Sequence, residues 1–307
     1  MSGQLTMWVM VPFATSRSPF VSFREFRGSK TTSSPMPRPP RKNPKHRRPP
    51  QEKSAAPTAW DPVAAWYDKL VGESGSDYHR NVILPAALRL LGDVRGLSVI
   101  DLCCGQGVLA GPLLEAGAAA FTGVDASPQL IAAARKRHDR DSRARFLVAD
   151  ATAPGDWEDA SHDAAACLMA VHDVADLDGL CARLAGSLKP GGRAVLVFMH
   201  PCFRIPRQTH WGWDNDQKIQ FRRVDRYISS VEIPIATHPG RKSGEQTVFH
   251  HRPLADVLNA LGRAGLAVTA CEEPCSHRRS QPGPFSKAEH RAAAEIPVFL
   301  ALHAIKA

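Results

Sequence analysis

The sequence predicts an α/β fold in which a parallel sheet carries helices on both faces. Three observations carry that expectation. Short apolar runs recur along the chain: LSVIDL (97–102), AFTGVD (120–125), ARFLVAD (144–150), DAAACLMAVH (163–172) and RAVLVFMH (193–200). Amphipathic stretches of helical spacing, such as PQLIAAARKRHD and DGLCARLAGSLKP, fill the gaps between them. The runs end near Asp101, Asp125, Asp150, His172 and His200, about 25 residues apart, as successive right-handed strand–helix units do.

Each element follows in order. PVAAWYDKLVG and RNVILPAALRLLG read as helices ahead of the first strand. That strand runs into the turn Cys103-Cys104-Gly105-Gln106-Gly107, behind which a helix can start. After the fifth strand, residues 200–252 break the alternation with a stretch rich in Trp, His, Arg and Phe, expected to form an inserted substrate lid. Within it, RYISSVEIPI and QTVFHH flank the turn-like HPGRKSGE and are expected to pair as a hairpin. A helix, PLADVLNALGRAG, then leads to strands LAVTACEE and EIPVFLALHAIK, joined by a long polar loop and expected to pair antiparallel at the sheet edge.

The formal charge of +9 is localised. Residues 1–58 hold 11 Lys/Arg, 2 Asp/Glu and 10 of the 25 prolines, which leaves 28 basic and 28 acidic residues in the rest. A basic, Pro-rich, weakly apolar segment buries too little surface to offset its ordering entropy, so 1–58 is expected to be a disordered arm. Its Arg/Ser-rich, acid-poor start resembles that of a transit peptide, and translation from Met36 would leave residues 1–35 out of the mature chain. Residues 59–307 are expected to form one catalytic domain. No apolar run reaches the ~18 residues of a membrane span. The seven cysteines are odd in number and lack paired C-x-x-C spacing, as reduced thiols of a cytoplasmic protein do.

Which ligand the glycine turn holds is a question of charge. Gly105, Gly107 and Ala110 satisfy the G-x-G-x-x-G/A pattern of dinucleotide binding. Asp101, however, ends the strand four residues before the first glycine and would repel a pyrophosphate seated on the turn. S-adenosylmethionine has no phosphate and carries a sulfonium and an ammonium, which a carboxylate attracts directly or through one water. Asp125 is placed to accept from both ribose hydroxyls, which fits either ligand. Asp150 can accept from the adenine amino group while the Ala151 N–H serves a ring nitrogen.

VIDLCCGQG, GVDAS, VADAT and LKPGGRAVLVF, in this order and spacing, resemble the motifs of the class I S-adenosylmethionine-dependent methyltransferases. The likeness is closer to the small-molecule group that includes the ubiquinone and menaquinone biosynthesis enzymes, and it covers about residues 60–307. It implies a Rossmann-like, doubly wound sheet of seven strands, mostly parallel with an antiparallel last strand. It implies S-adenosyl-L-methionine as cofactor, with Asp101, Cys103, Gly105 and Gly107 at the methionine end. Asp125 with Ala126 would take the ribose, Asp150 and Ala151 the adenine, and Met169 a lining position. Tyr67 resembles an aromatic residue that closes over the methionine moiety. The pair Cys103-Cys104 departs from the family's usual residues there and leaves the site open to thiol reagents.

The implied reaction is methyl transfer to a small-molecule acceptor, aromatic or anionic. Its donor is already activated, so a base is needed only where the acceptor must lose a proton. His172 and His200 are the candidate catalytic bases, with His210 and Tyr227 as further possibilities. Trp211, Trp213, Phe203 and Phe221 would wall the acceptor pocket or form the insertion's own small core, and Arg204, Arg207, Arg222 and Arg223 could meet an anionic group. No ligand spacing supports a metal. Nucleic acid is not the expected partner: Pro201-Cys202 suits a cytosine C5 mechanism, but the Pro-Cys motif it needs after the fourth strand is absent. A protein that binds the cofactor without transferring from it is a second alternative, and a dehydrogenase the third.

Overall fold

Val99 and Ile100 are adjacent, point to opposite faces of a strand, and are both fully buried. A strand apolar on both faces needs cover on both, which parallel sheets obtain from their crossover helices. The computed structural model describes residues 60–72, 75–236 and 246–307, and the expected arm 1–58 lies outside them.

Helices α1 (Ala64–Val71) and α2 (Leu84–Leu91) precede the sheet. The alternation then runs β1 (Ser98–Leu102), α3 (Ala110–Glu115), β2 (Ala120–Asp125), α4 (Pro128–Arg137), β3 (Ala144–Val148), β4 (His162–Leu168), α5 (Leu177–Ser187) and β5 (Leu188–Met199). Two hairpins follow, β6 (Thr209–Asp214) with β7 (Ile219–Val224) and β8 (Val231–Ala236) with β9 (Gln246–His251). The chain closes with α6 (Leu254–Arg263), β10 (Leu266–Glu272), α7 (Ser286–Glu295) and β11 (Phe299–Lys306).

The seven-stranded sheet has the order β10-β11-β5-β4-β1-β2-β3. β1 to β5 pair in parallel, and β11 runs antiparallel between β5 and β10. One face packs Val99, Phe121 and Val195 against α2 and α3; the other packs Ile100, Leu196 and Leu302 against α5 and α6. Among the described residues no helix is long and apolar enough to cross a membrane.

Local chemistry sets the element ends. The Ser127 hydroxyl caps α4 by accepting from the Leu130 N–H at 3.2 Å, with Pro128 in the first turn and Arg135, Lys136 and Arg137 in the last. Asp176 caps α5 through the Gly179 N–H at 2.8 Å. Two expectations are corrected. The fourth strand stops at Leu168 rather than His172, because Met169 turns the chain out of the sheet at φ 59°. The polar connection before the last strand contains α7, whose surface-facing sequence SKAEHRAAAE offers little apolar periodicity.

Strand order reverses at β1, with β2 on one side and β4 on the other. The carboxyl ends of β1 and β4 therefore flank a crevice, the usual ligand position in such sheets. Cys103 follows β1 and Met169 follows β4, and both hold left-handed backbone (φ 60° and 59°). Non-glycine residues are rarely left there without a functional reason.

Candidate functional site

The glycine turn is shaped by sterics and by one carboxylate. Gly107 sits at φ 76°, and a Cβ there would lie 2.8 Å from the Phe146 ring, so no side chain fits. Asp125, at the end of β2, accepts from the Gly105 N–H at 2.8 Å and from the Ser127 N–H at 2.9 Å. One side chain thus ties the turn after β1 to the loop after β2. Burial raises its pKa, and the two N–H groups oppose the shift.

This turn opens on a cavity of about 480 Å³, within the usual range for small-molecule sites. Tyr67 and Trp60 form one wall, their rings edge-on at 5.3 Å. Arg137 fixes that wall: it donates to the Gln106 carbonyl at 2.8 Å and to Asp68 of α1 at 2.7 Å, joining helix and turn. Asp150 and Ala151 form the far end, where one Asp150 oxygen accepts from both the N–H and the hydroxyl of Thr152, at 2.9 and 2.8 Å. Met169 and Asp173 line the β4 side, and Thr247, Val248 and His250 of β9 close over it.

The electrostatics are one-sided. Asp125, Asp150, Asp173 and Asp176 line the cavity, and among the described residues no Lys or Arg does. Behind the turn, Asp101 is 2% exposed and its Oδ1 has no hydrogen-bond partner. Burial, and next the charge of Asp125, raise its pKa well above the ordinary value. Such a wall repels a pyrophosphate and suits a cation.

The comparisons with known proteins agree. A profile described as "Methyltransferase domain" matches residues 99–192. A solved S-adenosylmethionine-dependent methyltransferase from Mesorhizobium loti is 31% identical, covers 72% of this chain and 96% of its own, and superposes with a TM-score of 0.56. The chain belongs to the S-adenosylmethionine-dependent methyltransferases. Among curated relatives, the demethylmenaquinone methyltransferase of Tropheryma whipplei (strain Twist) is 33% identical over 117 residues, 38% of this chain and 48% of that protein. The match thus spans about half of that relative's length. The ubiquinone biosynthesis O-methyltransferase of Rhodopseudomonas palustris (strain BisA53) is 26% identical over 184 residues, 55% of this chain and 68% of that one.

S-adenosylmethionine is this family's cofactor, and the residues fit its charge: four acids and, among the described residues, no Lys or Arg on the wall. Of the methyltransferase residues anticipated from sequence, Tyr67, Cys103, Gly105, Asp125, Ala126, Asp150, Ala151 and Met169 line the cavity. Asp101 and Gly107 do not; they lie behind the turn.

Neither expected histidine base lines this methyltransferase's cavity. His172 lies beyond the end of β4, stacked on Phe249 at 4.8 Å, with its Nδ1 buried and unpartnered. Burial pushes its pKa down to about 3. His200 directly follows β5 and both of its nitrogens are committed: Nδ1 accepts from the Cys202 N–H at 3.2 Å, and Nε2 donates to Glu273 at 2.8 Å. Tyr227 is likewise engaged, accepting from the Leu254 N–H at 3.0 Å.

The expected aromatic wall is elsewhere too. Trp211 and Phe221 are exposed on the β6–β7 hairpin, and Trp213 packs edge-on against Phe285. The insertion's buried cluster is Ile205, Ile233 and Phe249. Sequence reasoning missed Asp176, Trp60, Thr247 and His250, and weighed Asp173 only as a metal ligand beside His172. Asp173 was within reach, one residue past His172 in an acid-rich loop. His250 gave no local signal, because its place depends on how the β8–β9 hairpin folds back.

Proposed function

We propose that the protein transfers the methyl group of S-adenosylmethionine to a small, uncharged aromatic acceptor bearing an ionisable O–H or N–H. The observation that carries this reading is a cavity wall with four carboxylates and, among the described residues, no Lys or Arg. The same wall disfavours an anionic acceptor in this cavity, which leaves the aromatic alternative. Relatives named for demethylmenaquinone and for ubiquinone biosynthesis support it.

The cofactor supplies a sulfonium methyl already activated for in-line displacement, and the protein's part is alignment and proton removal. In this assignment Asp101 and the turn Cys103–Gly107 hold the methionine end. Asp125 with Ala126 holds the ribose, and Asp150 with Ala151 the adenine. Tyr67 would close over the methionine moiety, and Met169 would line the cavity beside it. Burial and the charges of Asp173 and Asp125 raise the Tyr67 pKa, so its hydroxyl stays neutral.

Asp173 replaces His172 and His200 as the acceptor-side base. Burial pushes its carboxyl up to about 8, near the pKa at which a base works best at neutral pH. A cation in the cavity favours its ionised form. The β8–β9 hairpin, within the 200–252 insertion, acts as the lid on that side.

The test is calorimetric titration of the full chain with S-adenosylmethionine, S-adenosylhomocysteine and NAD, followed by labelled-methyl transfer to a panel of phenols and anilines. Micromolar binding of the first two, none of NAD, and labelled product are expected. NAD binding without sulfonium binding overturns the donor assignment. Donor binding with no transfer to any acceptor in the panel overturns the acceptor assignment.

A further inference from the structure

A second cavity, of about 800 Å³, lies between the β6–β7 hairpin and α7 and shares no lining residue with the first. Its chemistry is the reverse. Lys218, Lys287 and Arg291 line it, with Glu295 as the one acid among its described lining residues. None of the three cations has an ion pair or hydrogen bond among the described residues. That sets them apart from Arg89, Arg143, Arg183 and Arg263, each of which is paired with a carboxylate. Trp213 and Phe285 supply an aromatic corner, ring centroids 4.6 Å apart and 72° inclined. Phe285 leaves half of its surface open, 50%.

Aromatic rings that meet edge-on offer a third ring a stacking surface. Unpaired cations beside them, exposed on the cavity rim, attract a negative group. The volume matches a ligand of a few fused or linked rings. We propose that this cavity is a second ligand site, and that it takes an aromatic molecule carrying a carboxylate, sulfonate or phosphate. Four carboxylates and no cation among the described lining residues of the first cavity disfavour such a molecule there. The two cavities sort small molecules by charge. Both are bordered by hairpins of the same inserted stretch, β9 at the first and β6–β7 at the second, so the insertion serves two sites.

The test uses anilinonaphthalene sulfonate as probe and uncharged phenylnaphthylamine as its control, with fluorescence read on the full chain. One saturable site per chain is expected, unchanged by saturating S-adenosylhomocysteine. The uncharged control should bind at least about tenfold more weakly, the range lost with a charge-assisted contact. Lys287→Gln/Arg291→Gln should weaken the sulfonate about tenfold, with the melting temperature unchanged, and Lys218→Gln should add to the loss. Equal affinity in the double variant, equal affinity for the uncharged control, or displacement by S-adenosylhomocysteine overturns the proposal. Because the readout is binding away from the donor cavity, it stands or falls separately from methyl transfer.

Discussion

Arg252 donates to the carbonyl of Val174 at 2.7 Å, across 78 residues of sequence. The same guanidinium reaches the Ala175 carbonyl at 2.5 Å and the Val171 carbonyl at 3.2 Å. One side chain at the end of β9 thus holds the loop that presents Asp173, Val174, Ala175 and Asp176 to the cavity. A second tie runs from the His250 N–H to the His172 carbonyl at 2.7 Å.

Removing the clamp should loosen the site without touching the ligand. Arg252→Ala leaves three carbonyls short of a donor and should cost about 1–3 kcal/mol of stability. It should also weaken S-adenosylhomocysteine several-fold. Lys at this position should rescue only part, because an ammonium cannot reproduce the planar fork. Denaturant unfolding and calorimetry check both effects.

Asp125 joins the turn and the second loop, so its loss acts twice. Asp125→Ala should reduce donor affinity by at least about 1.5–3 kcal/mol, the range for a charged hydrogen bond. Unchanged affinity by calorimetry would remove the residue from the ribose position.

For Asp173 the sign with pH follows from its raised pKa. Between its ordinary 3.8 and about 8, the folded protein keeps a proton that the unfolded chain has released. Stability should therefore fall as pH rises through that window. Asp173→Asn should flatten the slope and stabilise the ligand-free protein at pH 8 by about 1–3 kcal/mol. Wild type should release protons on binding S-adenosylmethionine near pH 7 in excess of the variant, measured by calorimetry in two buffers of different ionisation enthalpy. Transfer to an acceptor should drop about 10²–10⁴-fold in the variant.

His200 is a positioning residue for the turn after β5. His200→Ala should cost about 1–3 kcal/mol in unfolding experiments, since the Cys202 N–H loses its acceptor. Donor affinity should stay within about twofold. A folded His200→Ala protein that binds donor normally yet has lost transfer would return the base to His200.

The sequence by itself determined the sheet and the residues around the glycine turn that line the cavity. Strand runs such as VIDL and FTGVD are apolar on both faces, and their acids fall at strand ends, because a parallel sheet puts its ligand crevice at the carboxyl ends. Asp125, Gly105 and Ala151 therefore became legible from pattern alone. The tertiary structure decided which residues of the loop after β4 and of β9 line the rest of the cavity. His172 and Asp173 are neighbours in sequence, yet Met169 turns the chain so that Asp173 faces the cavity while His172 packs on Phe249. His250 and Arg252 act on a loop some 80 residues away, and α7 makes Trp213 part of the wall of a different cavity. Periodicity records which face of an element is apolar, and these placements depend on how the elements pack.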